Sequence, residues 1–237
     1  LVCNTKREAK ELFENLQAEV NNTVPMYHLS ASMCTKHRKM TVESMKSDLR
    51  LPDPKQIVCV ATQVIEAGVD ISFNCVIRLQ AGMDSIVQAA GRCNRNGENK
   101  LESVYIVNLL GEKLHRLKEI ETAKSATESL LLAAKTEKQY AMLNSEAAIS
   151  YYYRKLYSKM DKGEQDFLVP NLHKSLYGLL NQHDVADGYF LAQQLKTAGK
   201  YFNVFDNNTV EMIVPYGKGQ DVISELNSEK AMYNLVY

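Results

Sequence analysis

Two arginines near the middle of the chain are the residues best suited to chemistry. The stretch 84–97, DSIVQAAGRCNRNG, has the spacing Q-x-x-G-R-x-x-R, formed by Gln88, Gly91, Arg92 and Arg95. Side chains three residues apart on a helix leave the same face, so the spacing predicts two adjacent guanidiniums, which do not lose their charge. Such a pair suits the charge spread over a transferring γ-phosphoryl group. The alternative is the basic C-terminal end of an ordinary surface helix.

Gln88 completes this predicted catalytic group, and Gly91 is predicted to contribute to cofactor binding. Gln88 lies about one helical turn before Arg92, where its amide can hydrogen-bond a phosphate or a positioned water. Gly91 carries no side chain, so we expect it to let the backbone come close to a neighbour.

A second polar group lies just upstream, in the segment VCVATQVIEAGVDI. Residues 57–61 form a short apolar, β-branched run, which predicts a buried parallel strand. Thr62 and Gln63 follow at its C-terminal end, where open α/β sheets place their ligands. Gly68 and Asp70 then give a turn residue and a carboxylate suited to a hydroxyl or a guanidinium.

Taken in order, A-T-x-x-x-x-x-G-x-D and Q-x-x-G-R-x-x-R resemble motifs V and VI of superfamily 2 helicases. The resemblance implies that Arg92 and Arg95 reach the phosphates of ATP, beside the motif VI glutamine, Gln88. It also implies that Asp70 lies near the ribose or a facing arginine, with Gly68 as its turn.

The same resemblance implies contacts with single-stranded DNA at the strand ends. Thr62 and Gln63 match the motif V segment that touches the DNA backbone, and Thr5 and Ser30 follow the two preceding predicted strands. Hydroxyls and backbone N–H groups suffice for a motor that grips phosphates without reading bases. The alternatives are that Thr5 only caps a helix and that Ser30 only ends a strand.

The elements around these motifs alternate between strand and helix. Apolar runs predict strands at 1–4, 24–29, 57–61, 75–79 and 104–109. Helical patterns predict three helices. The first is capped by Thr5 and runs through Val20, the second spans 36–50 and is capped by Thr35, and the third spans 83–92. Met40, Met45 and Leu49 are the expected apolar positions of the second. This alternation predicts an α/β fold with a parallel sheet. It is the layout of a RecA-like lobe, the second of the two in a helicase motor.

The second half of the chain has a different pattern. It predicts helices over 112–135, 145–160, 189–198 and 220–227, and a hairpin of strands 201–205 and 210–216 turning at 206–208. The tyrosines of 145–160 are expected to pack, with stacking on nucleic-acid bases as the alternative. We therefore predict a second RecA-like lobe at 1–111, a helical linker at 112–165 and a small α+β accessory domain at 166–237.

Two ATP-binding elements are missing from the sequence. It contains neither a G-x-x-x-x-G-K-[ST] loop nor a D-E-x-[DH] box for magnesium. In two-lobed motors these elements belong to the first lobe. We therefore expect that the chain is a piece of a longer protein, that ATP and Mg²⁺ bind mainly through the missing lobe, and that the chain alone does not hydrolyse ATP.

Composition sets further limits. The net charge is zero and the mean hydropathy is −0.30, so there is no global attraction to a polyanion and no expected membrane span. The five cysteines lack metal-ligand spacing, which favours a reducing cytoplasm. Cys3, Cys59 and Cys75 lie in predicted core strands. We expect no metal at His28 or His37, and a pairing of Arg78 with a carboxylate such as Asp70.

Three segments narrow the resemblance to one group. YHLSASMCTKHR, GRCNRNG and the tail QQLKTAGKYFNVFDNNTVEMIVPYGKG resemble the CRISPR-associated helicase-nuclease of type I interference systems, and the tail looks most like the I-C branch. The resemblance implies a DNA translocase that feeds foreign single-stranded DNA to a nuclease, with an RNA-guided surveillance complex as partner. The HD nuclease domain and the first lobe of that group are absent from this sequence.

Two other functions remain open. The chain could be part of another superfamily 2 DNA or RNA helicase, although the cysteine in GRCNRNG and the C-terminal hairpin argue against it. It could also act mainly as an interaction module that docks the surveillance complex.

Overall fold

Short parallel strands form the centre of the fold, which is mixed α/β. The computed structural model describes residues 1–20, 23–51, 56–66, 68–160, 167–181, 194–202 and 210–228. The strands are β1 (Met26–Leu29), β2 (Val58–Ala61), β3 (Cys75–Leu79), β4 (Ser103–Val107), β5 (Leu168–Val169) and β6 (Lys174–Ser175). The helices are α1 (Lys6–Val20), α2 (Thr35–Leu49), α3 (Met83–Ala90), α4 (Lys118–Thr136), α5 (Glu146–Lys159), α6 (Leu176–Asn181), α7 (Leu195–Tyr201) and α8 (Lys218–Leu226).

The N-terminal residues join two pairs of parallel strands. β1 pairs with β2, and β3 pairs with β4. Between these pairs, Cys3 N donates to Ala61 O at 2.8 Å, and Val2 N donates to Ile77 O at 2.8 Å. The order across this region is therefore β1, β2, residues 1–3, β3, β4. The predicted strand at 1–4 is reduced to isolated bridges at Val2. The mixed α/β class is confirmed, and the assignment to a RecA-like lobe stays a prediction.

Helices α1 and α2 begin differently from each other. At α1, Thr5 and Glu8 exchange hydrogen bonds of 3.1 Å between side chain and backbone N–H in both directions, which is a capping box. At α2, Cys34 occupies the capping position without a side-chain bond, and Thr35 is already helical. The predicted cap at Thr35 is therefore wrong.

Two apolar clusters cover the strands. One includes Leu29 and Met45, and the other includes Cys3 and Val60. Met40 is exposed, so its predicted place among the apolar positions is wrong, whereas Met45 is fully buried.

Cys75 corrects another prediction. It is exposed at the first residue of β3, while Cys3 and Cys59 are buried as expected. The burial of β3 increases after this first residue, since Val76, Arg78 and Leu79 are buried.

The C-terminal half departs most from prediction. Helix α4 begins at Lys118, six residues later than predicted, whereas α5 lies within one residue of the predicted bounds. Tyr201 ends helix α7 instead of starting a strand, and residues 210–216 have no strand. Residues 189–193 and the predicted turn at 206–208 lie outside the described residues.

The chain divides into two compact units, 1–152 with 213–237 and 153–212. In the second unit, Val169, Leu176, Leu179 and Ala198 form a small buried cluster. The domain boundaries at 111/112 and 165/166 stay predictions. Among the described residues, no helix has both the length and the apolar character that crossing a membrane requires.

Candidate nucleotide and DNA site

The two predicted motifs meet through Arg95 and Asp70. Arg95 Nε donates to Asp70 Oδ1 at 2.8 Å, and the Arg95 side chain remains 42% exposed. The hydrogen bond and the charge of Arg95 hold the pKa of Asp70 below its ordinary value. Asp70 is therefore a carboxylate that faces Arg95 of the second predicted motif, and the roles of both residues toward ATP stay predictions.

Arg92 lies in a different environment from Arg95. Its residue is only 8% exposed, Nε donates to Ile65 O at 3.0 Å, and Nη2 donates to Glu66 O at 2.6 Å. Helix α3 ends at Ala90, before either arginine. The prediction that both side chains leave one helix face is therefore wrong. Arg92 holds the backbone of the preceding motif through these two hydrogen bonds, and the guanidinium of Arg95 is exposed.

The glycines of the two motifs differ in what the fold requires of them. Gly68 has a φ of +72°, in the left-handed region that favours glycine, so its predicted role as a turn residue is confirmed. Gly91 has an ordinary φ of −64°, and an added Cβ would lie 3.4 Å from Gln88 O. The folded chain does not itself need glycine at 91. Gln88 is exposed on α3.

The four residues predicted to touch DNA follow three adjacent strand segments. Thr62 N donates to Leu29 O at 2.9 Å, which places the ends of β1 and β2 side by side. Ser30 is 3% exposed and Thr62 is 7% exposed, whereas Gln63 is open to solvent. The Thr5 hydroxyl accepts a hydrogen bond from Glu8 N, so it caps α1. Contact of these residues with DNA stays a prediction.

Arg78 forms a buried ion pair with Glu66, a partner that was not predicted from the sequence. Arg78, which is 0% exposed, places Nε 3.1 Å from Glu66 Oε1 in an ion pair without hydrogen-bond alignment, and it does not pair with Asp70. Ser85 Oγ accepts a hydrogen bond from Arg78 Nη2 at 2.7 Å and lies 2.7 Å from Glu66 Oε1. The predicted pairing of Arg78 with Asp70 is therefore wrong. A charged residue within the apolar strand CVIRL was the signal that a buried carboxylate must lie nearby.

Burial shapes the charges of this pair. It raises the pKa of Glu66, while Ser85 and Arg78 act in the opposite direction. It lowers the pKa of Arg78, which Glu66 opposes. Arg78 supplies the countercharge that favours the ionised carboxylate of Glu66, and Glu66 offsets the cost of burying the guanidinium.

The same network continues away from the motifs. Asn4 Oδ1 accepts a hydrogen bond of 2.8 Å from Arg78 Nη1, and Asn4 Nδ2 donates to Glu112 Oε1 at 2.6 Å. Lys124 on α4 pairs with Glu112 at 2.7 Å. Polar groups thus link the strands to α4 through the interior.

His28 and His37 lie in different surroundings. His28 is partly buried, and burial lowers the pKa of its imidazole. The ring of His37 stacks on that of Tyr216 with the centroids 4.6 Å apart. Across the part of the chain that the structure describes, no group of three or more His, Cys, Asp or Glu residues is placed to hold a metal ion.

Sequence comparisons relate this chain to one family. A family model described as the C-terminal part of the CRISPR-associated nuclease/helicase Cas3 matches residues 1–98. A Haloferax volcanii protein named CRISPR-associated nuclease/helicase Cas3 is 63% identical over 41 residues, 17% of this chain and 4% of that protein. The protein of the same name from Methanothermobacter thermautotrophicus is 29% identical over 103 residues, 44% of this chain and 12% of that protein. The chain thus matches a small part of the length of either relative.

Solved structures give weaker likenesses. The crystal structure of T. fusca Cas3-ATP aligns with a TM-score of 0.47 at 15% identity, over 67% of this chain and 21% of that chain. A structure described as a CRISPR RNA-guided surveillance complex, pre-nicking, aligns with a TM-score of 0.45 at 17% identity, over 67% and 23%. Scores of this size do not establish a shared fold, so the sequence matches carry the assignment. The chain is therefore similar to the C-terminal part of the CRISPR-associated nuclease/helicase Cas3, and the family model covers its residues 1–98.

Proposed function

We propose that this chain supplies the second, RecA-like motor lobe and an accessory region of an ATP-dependent single-stranded-DNA translocase in CRISPR interference. The motor would pass foreign DNA to a nuclease in the full-length protein. The observation that carries the proposal is the meeting of motif V and motif VI at Asp70 and Arg95, 2.8 Å apart. The similarity of residues 1–98 to a nuclease/helicase family supports the same reaction class.

The described residues offer groups that could contact one side of the ATP triphosphate. Arg95 offers an exposed planar guanidinium, and Gln88 lies exposed on the preceding helix. Bound ATP with Mg²⁺ would supply the phosphoryl group, and Arg95 would stabilise the negative charge that develops during its transfer. The phosphate-binding loop and the magnesium carboxylate are expected from another lobe.

The strand ends suit a nucleic-acid backbone. Thr5, Ser30, Thr62 and Gln63 follow neighbouring strand segments, and parallel strands place their carboxyl ends at one edge. Gln63 is the most open of the four. We propose that this edge contacts DNA phosphates, with Gln63 and backbone N–H groups as donors. The chain is neutral overall, so attraction to DNA must be local.

The test is ATP hydrolysis by the full-length protein with and without single-stranded DNA or RNA. We expect stimulation by DNA that is lost in Arg95→Ala and retained in Arg116→Ala, which removes an exposed arginine outside both motifs. Stimulation by RNA alone would favour an RNA helicase. Docking of a surveillance complex by the full-length protein without any ATP hydrolysis would favour an interaction module.

A further inference from the structure

Glu66 connects the surface of the site to the interior of the protein. Its backbone carbonyl accepts the 2.6 Å hydrogen bond from Arg92 Nη2. Its carboxylate lies within 2.9 Å of Ser85 Oγ through both oxygens, and 3.1 Å from Arg78 Nε. One residue therefore joins the arginine of motif VI to helix α3 and strand β3.

Arg78 is in turn fixed from several directions. Nη1 donates to Asn4 Oδ1 at 2.8 Å and to Leu79 O at 2.9 Å, and Nη2 donates to Ser85 Oγ at 2.7 Å. A planar guanidinium with this many partners has a single orientation. The carboxylate of Glu66 is thus paired with a group that cannot shift without breaking bonds to β3, α3 and the N-terminal segment.

The motif V segment has few regular bonds of its own. After β2 it forms one short 3₁₀ turn over Gln63–Ile65 and then reverses at Gly68 in the left-handed conformation. Such a segment lacks the backbone ladder that fixes a strand or a long helix, so side-chain anchors decide its position. Glu66 is the residue of this segment whose side chain enters the Arg78 cluster.

We propose that Glu66, together with Arg78 and Ser85, is a positioning group for the motif VI arginines. The carboxylate fixes the carbonyls of Ile65 and Glu66, these carbonyls orient Arg92, and the chain that follows carries Arg95 to Asp70. This inference rests on the proposed function. None of the three side chains needs to touch ATP.

Ser85→Ala is the first variant, because it removes the hydroxyl that links Arg78 to Glu66 and leaves their ion pair in place. In the full-length protein we expect kcat for DNA-stimulated ATP hydrolysis to fall by about tenfold to 10²-fold, since a displacement of ~1 Å in a catalytic group costs that much. KM for ATP should change by less than about twofold, because the lost interaction acts in the transition state. Ser85→Thr restores the hydroxyl and should recover most of kcat.

The double variant Glu66→Gln/Arg78→Met separates positioning from stability. Glu66→Gln alone leaves a buried guanidinium without its countercharge, so that variant can simply fail to fold. Removing both charges avoids this cost. We expect the double variant to fold, to bind ATP and to keep the low kcat of Ser85→Ala.

Thr127→Val is the matched control. Thr127 is a fully buried hydroxyl on α4 that bonds only within its own helix, to Ala123 O at 3.1 Å. The Thr127→Val variant should lower Tm to a similar degree as Ser85→Ala and leave kcat unchanged. Hydrogen exchange without nucleotide gives an independent readout, since the amides of residues 62–66 should exchange faster in Ser85→Ala and not in Thr127→Val.

The outcomes separate two failures. If the parent protein hydrolyses ATP while Ser85→Ala and the folded double variant keep the parent kcat, the positioning role is overturned and the proposed function stands. Unchanged exchange at 62–66 in Ser85→Ala overturns it as well. A parent protein without ATP hydrolysis overturns both the proposed function and this inference.

Discussion

Arg95 Nε and Asp70 Oδ1 lie 2.8 Å apart, and this contact joins two motifs separated by 25 positions in the chain. Arg92, three residues before Arg95, is bound instead to the carbonyls of Ile65 and Glu66. Arg92 is therefore buried and hydrogen-bonded to the backbone, whereas Arg95 is exposed. This difference leads to distinct expectations for their variants.

Arg95→Ala should slow ATP hydrolysis in the full-length protein by roughly 10³-fold or more, as expected for an exposed guanidinium that serves transition-state charge. Arg92→Ala should slow it by about 10²-fold, because Arg92 acts by holding the segment that carries Arg95. Nucleotide affinity should fall less. Lysine should not rescue fully at either position, because it lacks the planar fork. The measurements are single-turnover hydrolysis and nucleotide binding. Near-normal turnover in both alanine variants would show that neither arginine contributes to ATP hydrolysis.

The same two variants should differ in stability. Arg92→Ala removes two hydrogen bonds from a buried charged group, which costs about 1.5–3 kcal/mol each at most. Arg95→Ala breaks a pair that is open to solvent, so its Tm should stay close to that of the parent. Thermal unfolding of the chain checks this, with Arg116→Ala as the surface control. Equal Tm shifts for the two variants would contradict the buried, hydrogen-bonded position of Arg92.

The chain on its own should show negligible ATP hydrolysis with or without single-stranded DNA. Its sequence contains no phosphate loop and no magnesium-binding D-E-x-[DH] box, and Arg95 alone supplies charge without a place for the metal. A phosphate-release assay on the purified chain checks this, with the full-length protein as positive control. Robust turnover by the chain would show that it is not half of a motor.

Gly82→Ala should destabilise the first unit by about 1–3 kcal/mol, because the added methyl has no room. A Cβ at this position would lie 2.5 Å from Asp84 Oδ1 and 2.8 Å from the Tyr152 hydroxyl, which donates to that same oxygen. Gly91→Ala is the control for stability, since its Cβ meets nothing closer than 3.4 Å. Urea unfolding of both variants measures the difference. A Gly82→Ala chain as stable as Gly91→Ala would contradict the packing described at the start of α3.

Cys59 should make stability fall at high pH. Burial raises the pKa of its thiol from the ordinary 9.0 to about 11. A raised folded pKa gives a stabilisation that is fully present below 9.0 and is lost as the pH rises through about 11, because the unfolded chain ionises first. The loss is roughly 2–3 kcal/mol, because each tenfold change in a proton's binding constant corresponds to about 1.4 kcal/mol.

The measurement for Cys59 is a comparison of Cys59→Ala with the parent. Urea unfolding at about pH 8 and about pH 11 should show a smaller pH-dependent loss in Cys59→Ala. Val60→Ala, a buried change in the same strand, removes packing without removing a titrating group, and should retain the parent's loss. Identical pH dependence in all three chains would show that folding does not raise the pKa of the Cys59 thiol.

Tyr216→Ala should loosen the C-terminal segment locally. The ring of Tyr216 stacks on His37 at 4.6 Å with an interplanar angle of 17°, and its hydroxyl donates to Met40 Sδ at 3.5 Å. Loss of the stack costs about 1 kcal/mol, which is small against global stability. Hydrogen exchange should rise over α8 and little elsewhere, and Tyr216→Phe should keep most of the protection. An increase that is uniform over the chain would contradict a local contact.

The sequence alone determined much of the local structure and indicated a related family. The bounds of β3 follow from an apolar run, and the start of α1 follows from Thr5 as its cap; both signals are carried by neighbouring residues. The spacing of Gly68, Asp70, Arg92 and Arg95 indicated the helicase motifs for the same reason. Where the signal was weak, as at residues 210–216, alternation suggested a strand that the described structure does not have.

Only the tertiary structure decided which side chains meet. The sequence marked Arg78 as a charge that needed a partner, but Glu66 and Asp70 are both carboxylates in the same segment, and periodicity does not choose between them. The choice follows from the turn at Gly68, which leaves Asp70 near Arg95 at the surface while Glu66 points to Arg78 in the interior. Likewise, α3 ends at Ala90, before both arginines, so Arg92 and Arg95 do not share a helix face. Long-range contacts decide where each side chain lies.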